Sequence, residues 1–184
     1  QTMTGHDRGG GREAGKEVFD AFLAAFSPMM EAGKLKAFLF QFPPWFDCTR
    51  ENVERLKRVK GWLGNVPAAL EFRHQSWFWP EHRDKTLAFM RREGWMHSVC
   101  DEPQAGIGSV PTVPVPTHPK RTVVRFHGRN AGGWNASGRD DAQWRSVRYL
   151  YDYSEKELTE WIGILRAMLT DSEEICVIFN NNSG

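Results

Sequence analysis

Five short strand-like runs, separated mostly by segments long enough for a helix, constrain the fold of this chain more than any other feature. Four of the five connect to the next run through such a segment, which favours parallel pairing because parallel strands need a crossover. The alternation of strands and helices is typical of an α/β domain. The runs cover residues 38–42, 68–74, 96–101, 122–127 and 175–180.

Apolar periodicity and capping residues predict four helices between and around these runs. The first carries Val18, Phe22 and Phe26 on one face. The second begins near Thr49 and ends before Gly64, and the third follows Pro80 and ends near Gly94. The fourth follows Ser154-Glu155-Lys156-Glu157, which is a capping-box sequence.

Size and composition are compatible with a single globular domain. The chain has 184 residues, of which 40% are hydrophobic, and these include eight tryptophans and twelve phenylalanines. No apolar stretch reaches the roughly 20 residues of a membrane helix, and no signal peptide is recognisable, so we expect a cytoplasmic protein with no membrane partner. The formal net charge of +1 indicates no global attraction to nucleic acid, and three widely spaced cysteines indicate reduced thiols.

Alternation within the runs predicts that polar side chains share one face of the sheet. Phe72 lies on the face opposite Glu71 and Arg73, and Phe126 on the face opposite Arg125 and His127. A sheet with helices on one face and polar groups on the other fits a closed β/α barrel better than an open doubly wound sheet. The expected interior set is Gln41, Glu71, Arg73, Asp101, Arg125, His127 and Asn180.

The chemistry of this set indicates an anionic ligand at the carboxyl ends of the strands. Arg73, Arg125 and Arg129 are the candidates for binding a carboxylate or phosphate through bidentate hydrogen bonds. Glu71, Asp101 and His127 are the candidate catalytic residues, as general acid or base, and Gln41 and Asn180 are candidates for orienting the ligand. In the alternative, non-catalytic interpretation, Glu71–Arg73 and Asp101–Arg125 are buried ion pairs that brace the interior of a scaffold.

Metal, nucleophilic and nucleotide-cofactor chemistry have weaker support in the sequence. Glu71, His74, Asp101 and His127 could supply metal ligands, but they show no recognised ligand spacing, and no metal site is predicted. Ser76 follows the second run without the Gly-x-Ser-x-Gly elbow, and Cys100 is interpreted as a core residue. No Walker or dinucleotide-binding motif occurs, so the sequence indicates no classical nucleotide cofactor and identifies no other cofactor.

A second functional hypothesis is nucleic-acid binding or processing. Aromatic residues are abundant after the runs, and arginines accompany them in the segment from Gly128 to Arg148. Such residues could form a stacking and phosphate-binding surface, although packing explains most large aromatic residues. The residues concerned are Trp45, Phe46, Trp77, Phe78, Trp79, Trp134, Trp144, Arg129, Arg139, Arg145 and Arg148.

At the run ends the sequence resembles the YecE-like family, a bacterial group classed as a domain of unknown function. The matching stretches are residues 38–44, 71–77, 124–129, 149–154 and 179–182, in the expected order along nearly the whole chain. The resemblance implies a TIM-type β/α barrel and no particular reaction. It also implies that family members are longer, with about three strands before residue 1 and a helix after the Asn-rich run. We therefore expect residues 1–184 to form one partial barrel domain with about five of eight strands and exposed outer strands.

Overall fold

The computed structural model of the protein describes residues 2–6, 14–134, 144 and 147–181, and within them five strands form one parallel sheet. The strands are β1 (Phe38–Gln41), β2 (Ala68–Glu71), β3 (Met96–Asp101), β4 (Arg121–Phe126) and β5 (Glu174–Phe179). The α-helices are α1 (Lys16–Glu31), α2 (Arg50–Leu63), α3 (Arg83–Glu93), α4 (Ala131–Trp134) and α5 (Glu155–Met168). Two 3-10 turns, Thr2–Thr4 and Gln75–Phe78, complete these elements.

Every strand pairs in parallel with the strand that follows it in the chain, so the sheet order is β1-β2-β3-β4-β5. In a β/α barrel each strand is added beside the preceding strand, always on the same side of it, whereas in a doubly wound sheet the strand order reverses at one point. The predicted α/β class and parallel pairing are confirmed.

Helices cover the outer face of the sheet. Phe40 and Leu70 project from β1 and β2 into a core that also contains Phe19 of α1 and Leu56 of α2, all of them buried. Farther along the sheet, Phe126 of β4 packs edge-on against Trp161 of α5, with ring centroids 4.8 Å apart. Each such side chain contributes roughly 1.5–3 kcal/mol by leaving water.

The helix ends follow the sequence signals. Thr49 caps α2 by accepting a hydrogen bond from the Asn52 amide. Ser154 and Glu157 form the reciprocal capping box of α5. Gly94 ends α3 in the left-handed conformation, at φ 73°. The predicted extension of the second strand to His74 is wrong, because pairing ends at Glu71 and His74 instead caps the 3-10 turn that follows.

The inner face of the sheet is layered from apolar to polar. Ala69, Met96 and Val123 form a small buried cluster near the amino ends of the strands, and Cys176 packs against it. Polar side chains follow toward the carboxyl ends. This layering resembles the packed interior of a barrel and places the polar groups at its mouth.

The outer strands of the sheet are partly exposed. Leu39 on β1 is 40% exposed, and Ile178 and Phe179 on β5 are 43% and 55% exposed. None of the helices in the described part of the chain is both long enough and apolar enough to cross a membrane.

Candidate functional site

Strand β2 delivers a carboxylate and a guanidinium to the inner face of the sheet. Glu71 is its last paired residue, and the chain continues through Phe72 to Arg73. Phe72 packs in the core between the sheet and the helices, whereas Glu71 and Arg73 are buried on the opposite face, in contact with each other. The predicted alternation around this strand end is confirmed.

Glu71 is the centre of a buried polar network. Its carboxylate lies 2.7 Å from Arg73 Nη2 and accepts hydrogen bonds from Arg125 Nη1 and Ser98 Oγ, each at 2.9 Å. Burial alone would raise the pKa of Glu71, but the nearby charges of Arg73 and Arg125 and a hydrogen bond from His127 outweigh it. The net effect is a pKa well below the usual range, so Glu71 is ionised.

Glu102 is a second buried carboxyl of the network, and it was not among the residues predicted from the sequence. Its Oε2 accepts a hydrogen bond from Arg73 Nη1 at 2.5 Å, and its Oε1 accepts one from the Val110 amide at 2.6 Å. Burial raises the pKa of Glu102 to about 7, although the charge of Arg73 and the amide hydrogen bond oppose the shift. The signal for Glu102 was its position two residues after Cys100, on the same face of the strand.

His127 is fully buried beside these groups. Its Nε2 lies 2.9 Å from Arg73 Nη2, and its Nδ1 lies 3.2 Å from Asn180 Nδ2. Burial and then the charge of Arg73 lower the pKa of His127 to about 4. The imidazole is therefore neutral near pH 7.

The network has a buried floor and a more accessible rim. We define the floor as Glu71, Arg73, Glu102 and His127, whose side chains are at most 4% exposed. The rim consists of Gln41, Arg125 and Asn180, at the ends of β1, β4 and β5. Arg125 Nη1 donates to Gln41 Oε1 at 3.3 Å, and Arg125 Nη2 donates to Asn180 Oδ1 at 3.0 Å.

Six of the seven predicted interior residues thus come together, and Asp101 does not. The register places Cys100 opposite Arg125 and Asp101 opposite Phe126, so Asp101 faces the helix side of the sheet. The predicted interior position of Asp101 and its pairing with Arg125 are therefore wrong.

Asp101 instead pairs with Arg129 outside the interior. Arg129 Nε lies 2.9 Å from the nearer Asp101 oxygen, and Arg129 Nη1 lies 3.1 Å from Glu157 Oε1 of α5. Asp101 and Arg129 also line a cavity of about 540 Å³ together with Gln104. Arg129 is therefore separated from the Arg73 and Arg125 pair with which the sequence grouped it.

The four-residue metal set considered from the sequence does not assemble. Asp101 faces away, and His74 Nδ1 is hydrogen-bonded to Ser76 Oγ at 2.7 Å. Glu71, Cys100 and His127 do bring potential ligand atoms within 4.8 Å of one another. The positively charged Arg73 guanidinium contacts both Glu71 and His127, and burial raises the pKa of the Cys100 thiol, so this trio does not suit a cation.

The aromatic residues proposed for nucleic-acid stacking divide between core and surface. Phe46, Trp77, Phe78 and Trp134 are buried, whereas Trp45 and Trp79 are 45% and 39% exposed. Arg129 is engaged by two carboxylates. Arg139 and Arg145 lie outside the described residues.

The fold and the position of the network define an α/β protein of the TIM-like barrel class, with its polar groups at the carboxyl ends of the strands. Residues 1–184 match the profile of the family described as "Protein of unknown function DUF72", and the chain belongs to that family. This agrees with the YecE-like resemblance of the strand-end motifs.

Relatives and solved structures support this assignment. The UPF0759 protein YunF of Bacillus subtilis (strain 168) is 50% identical over 185 residues, covering 100% of this chain and 65% of YunF. A DUF72 family protein of Enterococcus faecalis V583 superposes with a TM-score of 0.86 at 40% identity, covering 93% of this chain and 61% of that chain. A DUF72 family protein of Thermotoga maritima MSB8 superposes with a TM-score of 0.77 at 35% identity, covering 90% of this chain and 58% of that chain. The chain thus spans about three fifths to two thirds of the length of these relatives.

Proposed function

We propose that this part of the DUF72 barrel binds a small anionic ligand, a carboxylate or a phosphate, at the rim, and that Arg125 contacts the anion. The position supports the proposal, because β/α barrels bind their ligands at the carboxyl ends of the strands. The side chain of Arg125 is 11% exposed, which makes it more accessible than any side chain of the floor.

The observation that carries this proposal is the charge balance of the network. Two guanidiniums, Arg73 and Arg125, face one fully ionised carboxylate, Glu71, and a second carboxyl, Glu102, whose pKa of about 7 leaves it partly protonated at neutral pH. His127 is neutral and does not add to either sign. The network therefore has excess positive charge near pH 7, which an anion would neutralise.

Burial assigns different roles to the three candidate catalytic residues. Glu71 and His127 are fully buried, so in this proposal they hold Arg125 and Asn180 in position and do not touch the ligand. If the ligand is also a substrate, proton transfer would need Glu102, whose pKa of about 7 is the closest to neutrality within the floor. Asp101 and Arg129 pair with each other on the helix side of the sheet and take no part in the proposed site.

Titration of a full-length DUF72 protein carrying this sequence with inorganic phosphate, at low ionic strength, tests the proposal. Arg125→Ala should weaken binding roughly tenfold or more, since a charge-assisted hydrogen bond is worth about 1.5–3 kcal/mol. Arg92→Ala is the matched control, because Arg92 is an exposed arginine of α3 that pairs with its neighbour Glu93.

Because Arg125 pairs with a buried carboxylate, its removal could unfold the protein. Gln41→Ala provides a second variant at the partly exposed rim and should weaken phosphate binding while the circular dichroism spectrum stays unchanged. Phosphate affinity that is equal in wild type, a folded Arg125→Ala variant and Gln41→Ala would overturn the proposal.

A further inference from the structure

The guanidinium of Arg148 has no carboxylate partner among the described residues. Its contacts are aromatic rings, and its Cζ lies 4.3 Å from the ring centroid of Trp134, 4.6 Å from that of Trp144 and 5.3 Å from that of Tyr149. Its Nε is buried and has no hydrogen-bond partner. Among the described residues, the charge of Arg148 therefore has no carboxylate partner and its Nε–H donates no hydrogen bond.

The rings that hold Arg148 also border the floor of the site. The ring centroids of Trp134 and Tyr149 lie 6.4 Å and 5.9 Å from that of His127. The charge of Arg148 helps to lower the pKa of Glu102. Burial first, and then the charge of Arg73, lower the pKa of Arg148. The contacts of Trp134 and Tyr149 with both Arg148 and His127 place the Arg148 guanidinium at the same end of the sheet as the floor.

Aromatic rings hold a cation in a way that carboxylates do not. A ring face attracts a guanidinium through its quadrupole but leaves the net charge uncancelled and the N–H edge free. Arg73 and Arg125 contact Glu71, and Arg129 contacts Asp101 and Glu157, so each of these guanidiniums has at least one carboxylate partner within the protein. Within the described part of the chain Arg148 has no such partner, so its charge is available to a bound anion.

We propose that Arg148 is a second anion-contacting residue of this site, oriented by Trp134, Trp144 and Tyr149 toward the same oxyanion as Arg125. This inference rests on the proposed function and adds a residue that the chain supplies from the segment between β4 and α5. The oxyanion is a phosphate or a carboxylate, because planar guanidinium forks match the oxygen spacing of both.

The test uses the full-length protein with inorganic phosphate and acetate as separate probes at low ionic strength, with chloride as the reference anion. Binding is followed by calorimetry and by tryptophan fluorescence, which should report on the rings around Arg148. Arg148→Ala should weaken binding of the preferred probe roughly tenfold or more. Arg148→Lys retains the charge without the planar fork and should recover part of that loss. The matched control is Arg92→Ala, since Arg92 also lies over a ring, that of Phe89 at 5.6 Å, but on the surface of α3.

The outcomes separate this inference from the proposed function. Loss of binding in Arg125→Ala together with wild-type affinity in a folded Arg148→Ala variant overturns the role of Arg148 and leaves the rim proposal standing. Loss in both variants, with no loss in Arg92→Ala, supports both. If neither phosphate nor acetate binds to the wild-type protein more tightly than chloride, both proposals are wrong.

Discussion

Replacing Glu71 with glutamine should strongly destabilise the protein. The substitution preserves the shape of the side chain but removes the negative charge that contacts Arg73 and Arg125 and accepts from Ser98. Breaking a buried ion pair by neutralising one partner costs about 3–5 kcal/mol, because the remaining charge stays buried without compensation. Here Arg73 retains Glu102, whereas Arg125 is left with only the amide oxygens of Gln41 and Asn180.

Urea unfolding of the full-length protein at pH 7, followed by circular dichroism, measures this loss. With a slope of about 2 kcal/mol per molar urea, the midpoint should fall by about 1.5–2.5 M. Glu54→Gln is the control, because Glu54 pairs with Lys57 on an exposed helix surface, and it should leave the midpoint unchanged. A midpoint for Glu71→Gln that matches the control would refute the description of the floor as a buried network that depends on the negative charge of Glu71.

Three further predictions concern pH, a glycine and a helix cap. The folded-state pKa of Glu102 is raised to about 7, so its contribution to stability is present at acidic pH and is lost as pH rises toward and through 7. Glu102→Gln should therefore gain stability relative to wild type by on the order of 2–3 kcal/mol between pH 5 and pH 8, and a constant difference in urea midpoint would contradict this. Gly128→Ala should destabilise more than Gly33→Ala in thermal melts, because both glycines have positive φ but only at Gly128 would a new Cβ meet Tyr151, at 2.6 Å; equal losses would argue against that contact. Ser154→Ala removes the capping-box hydroxyl and should cost about 1 kcal/mol, and an unchanged melting temperature would show that the cap does not stabilise α5.

The sequence predicts the fold well because strand and helix signals are local. The run at residues 96–101 coincides with β3, and Ser154 caps the start of α5 as its capping sequence indicates. The exception is His74, where an extended chain continues beyond the last paired residue. Alternation alone reports the direction of a side chain and not where hydrogen bonding to the next strand stops.

Prediction of the site succeeds within a strand and fails between strands. Alternation places Glu71 with Arg73 and Arg125 with His127, and the structure brings all four together. The face taken by β3 depends on its register with β4, which pairs Cys100 with Arg125 and turns Asp101 outward. No local pattern in the sequence determines that register.

Arg148 illustrates a second limit of sequence reasoning. It lies between β4 and α5, in a segment for which the sequence predicts no helix or strand, and only the three-dimensional packing shows that aromatic rings surround its guanidinium. From the sequence, Arg148 was one of several arginines near tryptophans. The structure distinguishes it from Arg129, which two carboxylates engage.

The central claim, that the rim binds a small anion, is tested most directly by diffraction from crystals of a full-length DUF72 protein of this sequence soaked in selenate. Selenate has the shape and charge of sulfate, resembles phosphate, and can be located by its anomalous signal. We predict an anomalous peak within hydrogen-bond distance of the Arg125 guanidinium, at the carboxyl ends of the strands. Selenate bound only at surface lysines and arginines, with Arg125 still bound to Glu71, Gln41 and Asn180 alone, would contradict the claim.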